Sequence, residues 1–201
     1  MKKTVLSLIF ILFIQFLFGQ ITVNTTGTTS QLVLNNLLVN NGVSLCPGFV
    51  PNITSRDAST YGLPKSIGSF TYTGPAIDFP LSKGIVLSTG FANRLPGPNG
   101  LIELSDGTNS WLGDNQLLSY IQSFVPPINP GATIYRNATV LEFDFIALTD
   151  KLSFDYVFLS EEYGKFQCEY ADAFAFFLND VTAGTPPQNT RSEERRVGKE
   201  C

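Results

Sequence analysis

Four carboxylates fall within twelve residues of the sequence, at Glu161, Glu162, Glu169 and Asp172. Calcium takes several oxygen ligands, including carboxylates and backbone carbonyls, and it often binds to loops of extracellular domains. The spacing does not match that of an EF-hand loop. The cluster is therefore a candidate calcium site. The alternative is a solvated acidic loop, or a carboxylate that caps backbone N–H groups at a turn.

The chain contains no histidine. This excludes nucleophiles that histidine activates and histidine-rich zinc sites, and no Walker-type phosphate loop occurs. The remaining catalytic option is a pair of carboxylates that acts on a glycosidic bond. Adjacent residues of a strand point to opposite faces, so such a pair would more naturally be Glu161 with Asp172 than Glu161 with Glu162. We therefore predict that the chain is not an enzyme, with a carbohydrate hydrolase as the alternative.

Three aromatic residues in or beside polar loops could stack on a sugar ring: Trp111, Tyr61 and Tyr72. Trp111 is the best candidate for ligand contact because it lies in the polar stretch 105–114. The alternative is that it packs against the predicted helix that contains Leu117. Tryptophan is usually mostly buried, which favours the packing role.

Cys46 and Cys168 are the two cysteines that lie before the C-terminal tail. In an exported protein they indicate a disulfide. That bridge would close a loop of roughly 120 residues and contribute about 4–5 kcal/mol in the chain-entropy model. Because the sequence does not fix the geometry of a bridge, other pairings and free thiols remain alternatives.

The two ends of the sequence differ from the part between them. Lys2 and Lys3 precede an apolar run at residues 5–18, which is typical of a secretory signal peptide and shorter than the roughly 20 residues that span a bilayer. Residues 191–201 read RSEERRVGKEC and resemble a translated sequencing adapter, although a charged tail that binds a partner is the alternative. We divide the chain into a signal peptide (1–19), a lead-in (20–30), a β domain that is incomplete at its C-terminal end (31–190) and a non-native tail (191–201).

The net charge of the chain between its two ends limits the kinds of partner that we expect it to bind. Without the two lysines of the signal peptide and the four basic and three acidic residues of the tail, residues 20–190 keep seven basic and fourteen acidic residues. The net charge of about −7 argues against nucleic acid and anionic lipid as partners.

Little charge, many Gly, Asn, Thr and Ser residues and many phenylalanines indicate an all-β extracellular domain. Periodicity predicts strands at residues 67–73, 84–88, 139–146, 152–159 and 173–178. In the third of these, Val140, Glu142 and Asp144 share one face, and Leu141, Phe143 and Phe145 share the other.

Two short helices are also predicted. One begins after Thr29 or Ser30 and ends at Gly42, and the other begins after Asp114 and ends before Pro126. The whole pattern predicts an antiparallel β-sandwich, or a jelly-roll-like fold, with two short peripheral helices. Binding is expected in loops, of which residues 91–109 form the clearest.

The segments ATVLEFDF from residue 138, LSFDYVFLSEEY from residue 152 and DAFAFFLND from residue 172 together resemble the choice-of-anchor L domain. LNNLLVNNGV from residue 34, IGSF from residue 67 and GIVLSTG from residue 84 extend the resemblance to roughly residues 31–190. It implies an extracellular domain of bacterial surface proteins with no established enzymatic activity. Relatives carry different C-terminal sorting or anchoring signals, often that of the type IX secretion system.

These features predict a non-catalytic interaction or adhesion module of an exported bacterial protein, secreted or displayed at the cell surface. The expected partner is an extracellular glycan, matrix component or surface protein, and calcium is the candidate cofactor. No transmembrane segment is expected in the mature chain. A structural spacer that presents other surface modules is a further alternative.

Overall fold

The computed structural model describes residues 21–38, 52–96, 106–124, 135–145, 155–160 and 172–179. The chain divides into two compact units, one comprising Met1–Leu112 with Arg136–Asp155, the other Gly113–Tyr135 with Tyr156–Cys201. The strands of the first unit are β1 Ile21–Asn24, β2 Thr54–Arg56, β3 Ile67–Tyr72, β4 Lys83–Leu87 and β5 Val140–Glu142. The helices are α1 Thr29–Val33 in the first unit and α2 Asn115–Phe124 in the second.

All of the described strands pair antiparallel. One sheet has the order β1-β3-β4 and the other consists of β2 and β5. The predicted class, antiparallel β structure with two short helices, is confirmed. None of the helices among the described residues is both long enough and apolar enough to span a membrane.

The three-stranded sheet is built around β3. A hairpin joins β3 to β4, and the predicted strands at residues 67–73 and 84–88 correspond to these two elements within one residue at each end. Strand β1 pairs with the other edge of β3, with Val23 opposite Phe70. Strand β1 lies in the predicted lead-in at residues 20–30, for which no strand was predicted.

Phe70 and Gly84 stand opposite each other in the hairpin. A Cβ atom on Gly84 would lie 2.8 Å from Phe70 Cε1, so the aromatic ring covers the glycine. Phe70 is 6% exposed and packs edge-on against Phe79, with ring centroids 5.8 Å apart. A glycine at position 84 is therefore required by the packing of the sheet.

The two-stranded sheet is amphipathic. Thr54 lies opposite Glu142, and both are exposed. Ser55 points the other way, because side chains alternate along a strand, and its hydroxyl lies 2.7 Å from the Thr29 hydroxyl of α1. One face of β2 thus contacts α1 while the opposite face is open to solvent. Strand β5 is shorter than the predicted strand at residues 139–146.

The helices begin at side-chain caps. The Thr28 hydroxyl accepts a hydrogen bond from Gln31 N–H at 3.2 Å, and the Gln31 side chain accepts one from Thr28 N–H at 3.1 Å. This capping box places the cap one residue before the predicted Thr29. Helix α1 continues as a π-helical turn at Leu34–Leu38, and Gly42 lies outside the described residues.

In α2, Asp114 Oδ1 accepts a hydrogen bond from Leu117 N–H at 2.8 Å, which confirms the predicted cap. The capping carboxylate satisfies one of the backbone N–H groups that the first turn leaves without an intrahelical partner. Helix α2 ends at Phe124, and Pro126 lies outside the described residues.

Strands were predicted at residues 152–159 and 173–178, but the described residues within these ranges do not form strands. Their aromatic rings nevertheless gather in the second unit. Phe174 lies 4.5 Å from Phe176, 5.7 Å from Tyr156 and 6.3 Å from Phe158 between ring centroids. Alternation determines which side chains share a face, whereas a strand also needs backbone pairing, which the pattern does not specify.

Candidate functional site

Most of the predicted metal and disulfide residues lie outside the described part of the chain: Glu161, Glu162, Glu169, Cys46 and Cys168. Asp172 is described and partly buried, and desolvation by this burial raises the pKa of its carboxyl group. The described residues contain no group of three or more His, Cys, Asp or Glu side chains able to hold a metal ion. Calcium at the acidic cluster stays a prediction.

Trp111, the sequence-predicted ligand-contact residue, is fully buried. Its indole N–H donates to the Ala138 carbonyl at 3.0 Å, and its own carbonyl accepts from Asn137 N–H at 3.0 Å. A ring without exposed surface has no face to offer to a sugar. The structure therefore corrects the ligand-contact hypothesis, and burial, the usual state of tryptophan, is the physical reason.

Asp106 is a buried carboxylate whose two oxygens are both engaged. Oδ1 forms a 2.7 Å ion pair with Arg94 Nη1, and Oδ2 accepts from Phe91 N–H at 3.1 Å. The Arg94 guanidinium also lies over the Phe91 ring, 5.7 Å from its centroid. Asp106 therefore joins the two described ends of the loop at residues 91–109.

Asp57 is the second buried carboxylate of the first unit. Its oxygens accept from Ser66 N–H at 3.1 Å and from the Ser59 hydroxyl at 2.6 Å. Asp57 and Asp106 thus bind backbone N–H groups and neighbouring side chains, and neither has the open position that a general acid or base needs.

The exposed side of β2 and β5 carries paired polar side chains. Asn52 Nδ2 donates to Asp144 Oδ2 at 2.9 Å, and Thr54 Oγ1 donates to Glu142 Oε2 at 3.2 Å. All four residues are exposed. Arg56 follows Thr54 on the same face, because it lies two residues further along the strand. We call Asn52, Thr54, Arg56, Glu142 and Asp144 the polar ribbon face.

Tyr61 lies at one end of the polar ribbon face. Arg56 Nη1 donates to the Tyr61 hydroxyl at 3.3 Å. A 3₁₀ turn, Ala58–Tyr61, positions the ring and ends at Gly62, whose φ of 77° is the left-handed conformation that glycine adopts most readily. Tyr61 is half-buried and keeps part of its surface exposed.

The third aromatic candidate, Tyr72, belongs to the hairpin. Its hydroxyl donates to the Pro75 carbonyl at 3.1 Å, and its ring packs against Phe79 with centroids 5.4 Å apart. Tyr61 was among the residues predicted to lie in or beside loops, whereas Asn52 and Thr54 were not singled out. The available signal was that Thr54 and Arg56 are polar and two residues apart, so that both would lie on the same face of a strand.

Comparison with known proteins agrees with the sequence motifs. The family model of the Choice-of-anchor L domain matches residues 22–192, which is most of the chain. No curated protein and no solved structure matches it. Domains of this family are surface-associated parts of exported proteins, and they are generally non-catalytic. The chain, with its antiparallel sheets and its polar ribbon face, belongs to the choice-of-anchor L domain family.

Proposed function

We propose that the chain is a non-catalytic adhesion module through which an exported bacterial protein binds extracellular material: a glycan, a matrix component or another surface protein. The polar ribbon face is the observation that carries this proposal. It presents exposed donors and acceptors on two paired strands, and cross-strand hydrogen bonds hold four of its side chains in place. Side chains that are ordered before binding lose less conformational entropy when a ligand arrives.

The carboxylates of the first unit support a binding role over a catalytic one. The side chains of Asp57 and Asp106 are buried, and both oxygens of each carboxylate are engaged in a hydrogen bond or an ion pair. Glu142 and Asp144 are exposed on an open strand. A glycoside hydrolase needs one carboxyl group kept protonated by its surroundings and a second one across the scissile bond.

Calcium at Glu161, Glu162, Glu169 and Asp172 is the second part of the proposal. The raised pKa of the Asp172 carboxyl group supports it, because a partly buried carboxylate gains most when a cation offsets its lost hydration. In this role the ion would stabilise the segment that carries the cluster.

Retention of the full chain on extracellular material tests the proposal. Beads coated with the chain are incubated with matrix proteins and with polysaccharides, and the unbound fraction is analysed for new reducing ends. We expect saturable retention with no new reducing ends. New reducing ends would identify a hydrolase, and absence of retention on every component would favour a structural spacer.

A further inference from the structure

We propose that the polar ribbon face binds a neutral, hydroxyl-rich polysaccharide, and that the Tyr61 ring is a stacking surface at one end of this site. The inference rests on the proposed adhesive function and names its ligand class. It is carried by three features of the face: its free hydrogen-bonding atoms, the spacing of its rows and its charge.

The hydrogen-bonding groups of the face complement sugar hydroxyls. Each carboxylate uses one oxygen for its cross-strand partner, Asp144 Oδ2 for Asn52 and Glu142 Oε2 for Thr54. Within the part of the chain that the structure describes, Asp144 Oδ1 and Glu142 Oε1 accept no hydrogen bond. A sugar hydroxyl both donates and accepts, so it can donate to a free carboxylate oxygen and accept from the neighbouring amide.

The rows of the face repeat along the strands. The Thr54–Glu142 pair lies within β2 and β5, and the Asn52–Asp144 pair lies two residues further on, just outside the ends of both strands, which corresponds to about 6–7 Å of extended chain. Arg56 lies two residues from Thr54 in the other direction, opposite Val140. Polar side chains repeated at this spacing fit an extended chain of similar units better than one small, compact molecule.

Tyr61 supplies the apolar contact that the polar rows lack. Its hydroxyl is held by Arg56 at 3.3 Å, so the ring is fixed beside that side chain while part of its surface stays exposed. A tyrosine ring offers an apolar face together with a polar tip, and the C–H groups of a sugar ring can pack on that face.

The charge of the face selects against acidic polysaccharides. Glu142 and Asp144 contribute two negative charges and Arg56 contributes one positive charge. Like charges at contact distance disfavour binding, and the net charge of about −7 for residues 20–190 adds to this repulsion. Neutral sugars avoid this repulsion and keep every hydrogen bond.

Isothermal titration of the full chain with defined hexasaccharides tests the inference. The neutral probes are hexamers of β-1,4-glucose, β-1,3-glucose, β-1,4-xylose and β-1,4-mannose, and the acidic probe is hexagalacturonate. We expect saturable binding of at least one neutral hexamer and none of hexagalacturonate. Thr54→Val and Tyr61→Ala should each weaken binding about tenfold, the range for loss of one well-placed contact.

One matched variant serves as the control. Thr22→Val removes an exposed, cross-strand hydroxyl from the other sheet, where it lies 2.6 Å from the Thr71 hydroxyl, so affinity should stay within about twofold. Tyr61→Phe keeps the ring and loses only the hydroxyl that Arg56 holds, so it should weaken binding less than Tyr61→Ala does. Glu142→Gln, an isosteric and exposed change, tests the face again if Tyr61→Ala lowers the melting temperature.

Three results would overturn the inference: no binding of any neutral hexamer, tighter binding of hexagalacturonate, or equal effects of Thr54→Val and Thr22→Val. Retention on matrix protein without binding of a neutral hexamer would leave the adhesive function standing and remove only the polysaccharide site. If Thr54→Val abolishes that retention, the face binds protein instead.

Discussion

The hydroxyl oxygens of Ser66 and Thr139 lie 2.6 Å apart and join the segments that lead into β3 and β5. Ser66 Oγ also accepts from Ala58 N–H at 3.0 Å, and Thr139 Oγ1 donates to the Ser88 carbonyl at 2.6 Å. Ser66 is fully buried. The two sheets of the first unit are therefore connected by a continuous chain of hydrogen bonds.

Replacing Thr139 by valine should reveal the contribution of this connection. The valine keeps the shape of the side chain but removes the hydroxyl that bonds to Ser66 Oγ and to the Ser88 carbonyl, which should lower the free energy of unfolding by about 1–3 kcal/mol. Urea denaturation measures the change. Thr22→Val, at an exposed hydroxyl pair, should cost less than about 0.5 kcal/mol. Equal losses for both variants would contradict this account.

Gly84→Ala should destabilise the three-stranded sheet. The new Cβ would lie 2.8 Å from Phe70 Cε1, and overpacking of this kind costs about 1–3 kcal/mol. In a Phe70→Leu background the same substitution should cost less, since the smaller side chain leaves room. A double-mutant cycle by thermal and urea unfolding measures this coupling, and strict additivity would show that the ring and the glycine do not interact.

Trp111→Phe should affect stability and leave binding unchanged. The variant loses the indole hydrogen bond to Ala138 and part of the packed ring, which together cost about 1–3 kcal/mol. Retention on extracellular material, measured below the melting temperature, should equal that of the parent chain because the ring is buried. Weaker retention with unchanged stability would restore Trp111 as a contact residue.

Asp172 should make stability depend on pH in a defined direction. Desolvation by burial raises the pKa of its carboxyl group above 3.8, so the folded state keeps the proton at pH values where the unfolded state has lost it. Its contribution to stability is therefore lost as pH rises from about 3.8 through the raised pKa.

Asp172→Asn should reduce the dependence of the free energy of unfolding on pH in this range. It should also raise the free energy of unfolding at neutral pH in the presence of a chelator. Urea midpoints measured across the acidic and neutral range give the profile. The exposed Asp155→Asn variant is the control and should keep the slope. A profile for Asp172→Asn that matches the parent chain would contradict the assignment.

Calcium should raise the melting temperature of the full chain if the predicted cluster binds it. A ligand that binds only the folded state adds about 2.7 kcal/mol at a concentration one hundred times its Kd. Glu161→Gln combined with Asp172→Asn should remove the calcium-dependent shift, whereas Asp78→Asn, in the hairpin turn, should keep it. An unchanged melt in excess chelator would rule the site out.

Local patterns explain which elements could be predicted. The alternation of β3 and the carboxylate of Asp114 act within a few residues, so the hairpin and the start of α2 followed from the sequence. Strands β1 and β2 have four and three residues, and each depends on a partner far along the chain, which leaves little local signal. The rings of Tyr156, Phe174 and Phe176 lie in contact, but the described residues within the predicted strands 152–159 and 173–178 do not form strands.

The candidate site could also be predicted only where the signal is local in sequence. Alternation along the predicted strand at residues 139–146 places Glu142 and Asp144 on one face. Their partners could not be predicted, because the hydrogen bond from Asn52 to Asp144 joins residues 92 positions apart. Trp111 was named for its polar neighbours in sequence, yet tertiary packing buried it.

The distance along the chain between β2 and β5 also sets an order of folding. The β3–β4 hairpin forms between segments that are close in sequence. Thr54 can pair with Glu142 only after the chain has been synthesised 88 positions further. Contacts this far apart form slowly because a long loop must close first. We therefore expect the polar ribbon face to be among the last parts of the first unit to assemble, since it stays incomplete until the residues around Glu142 have been synthesised.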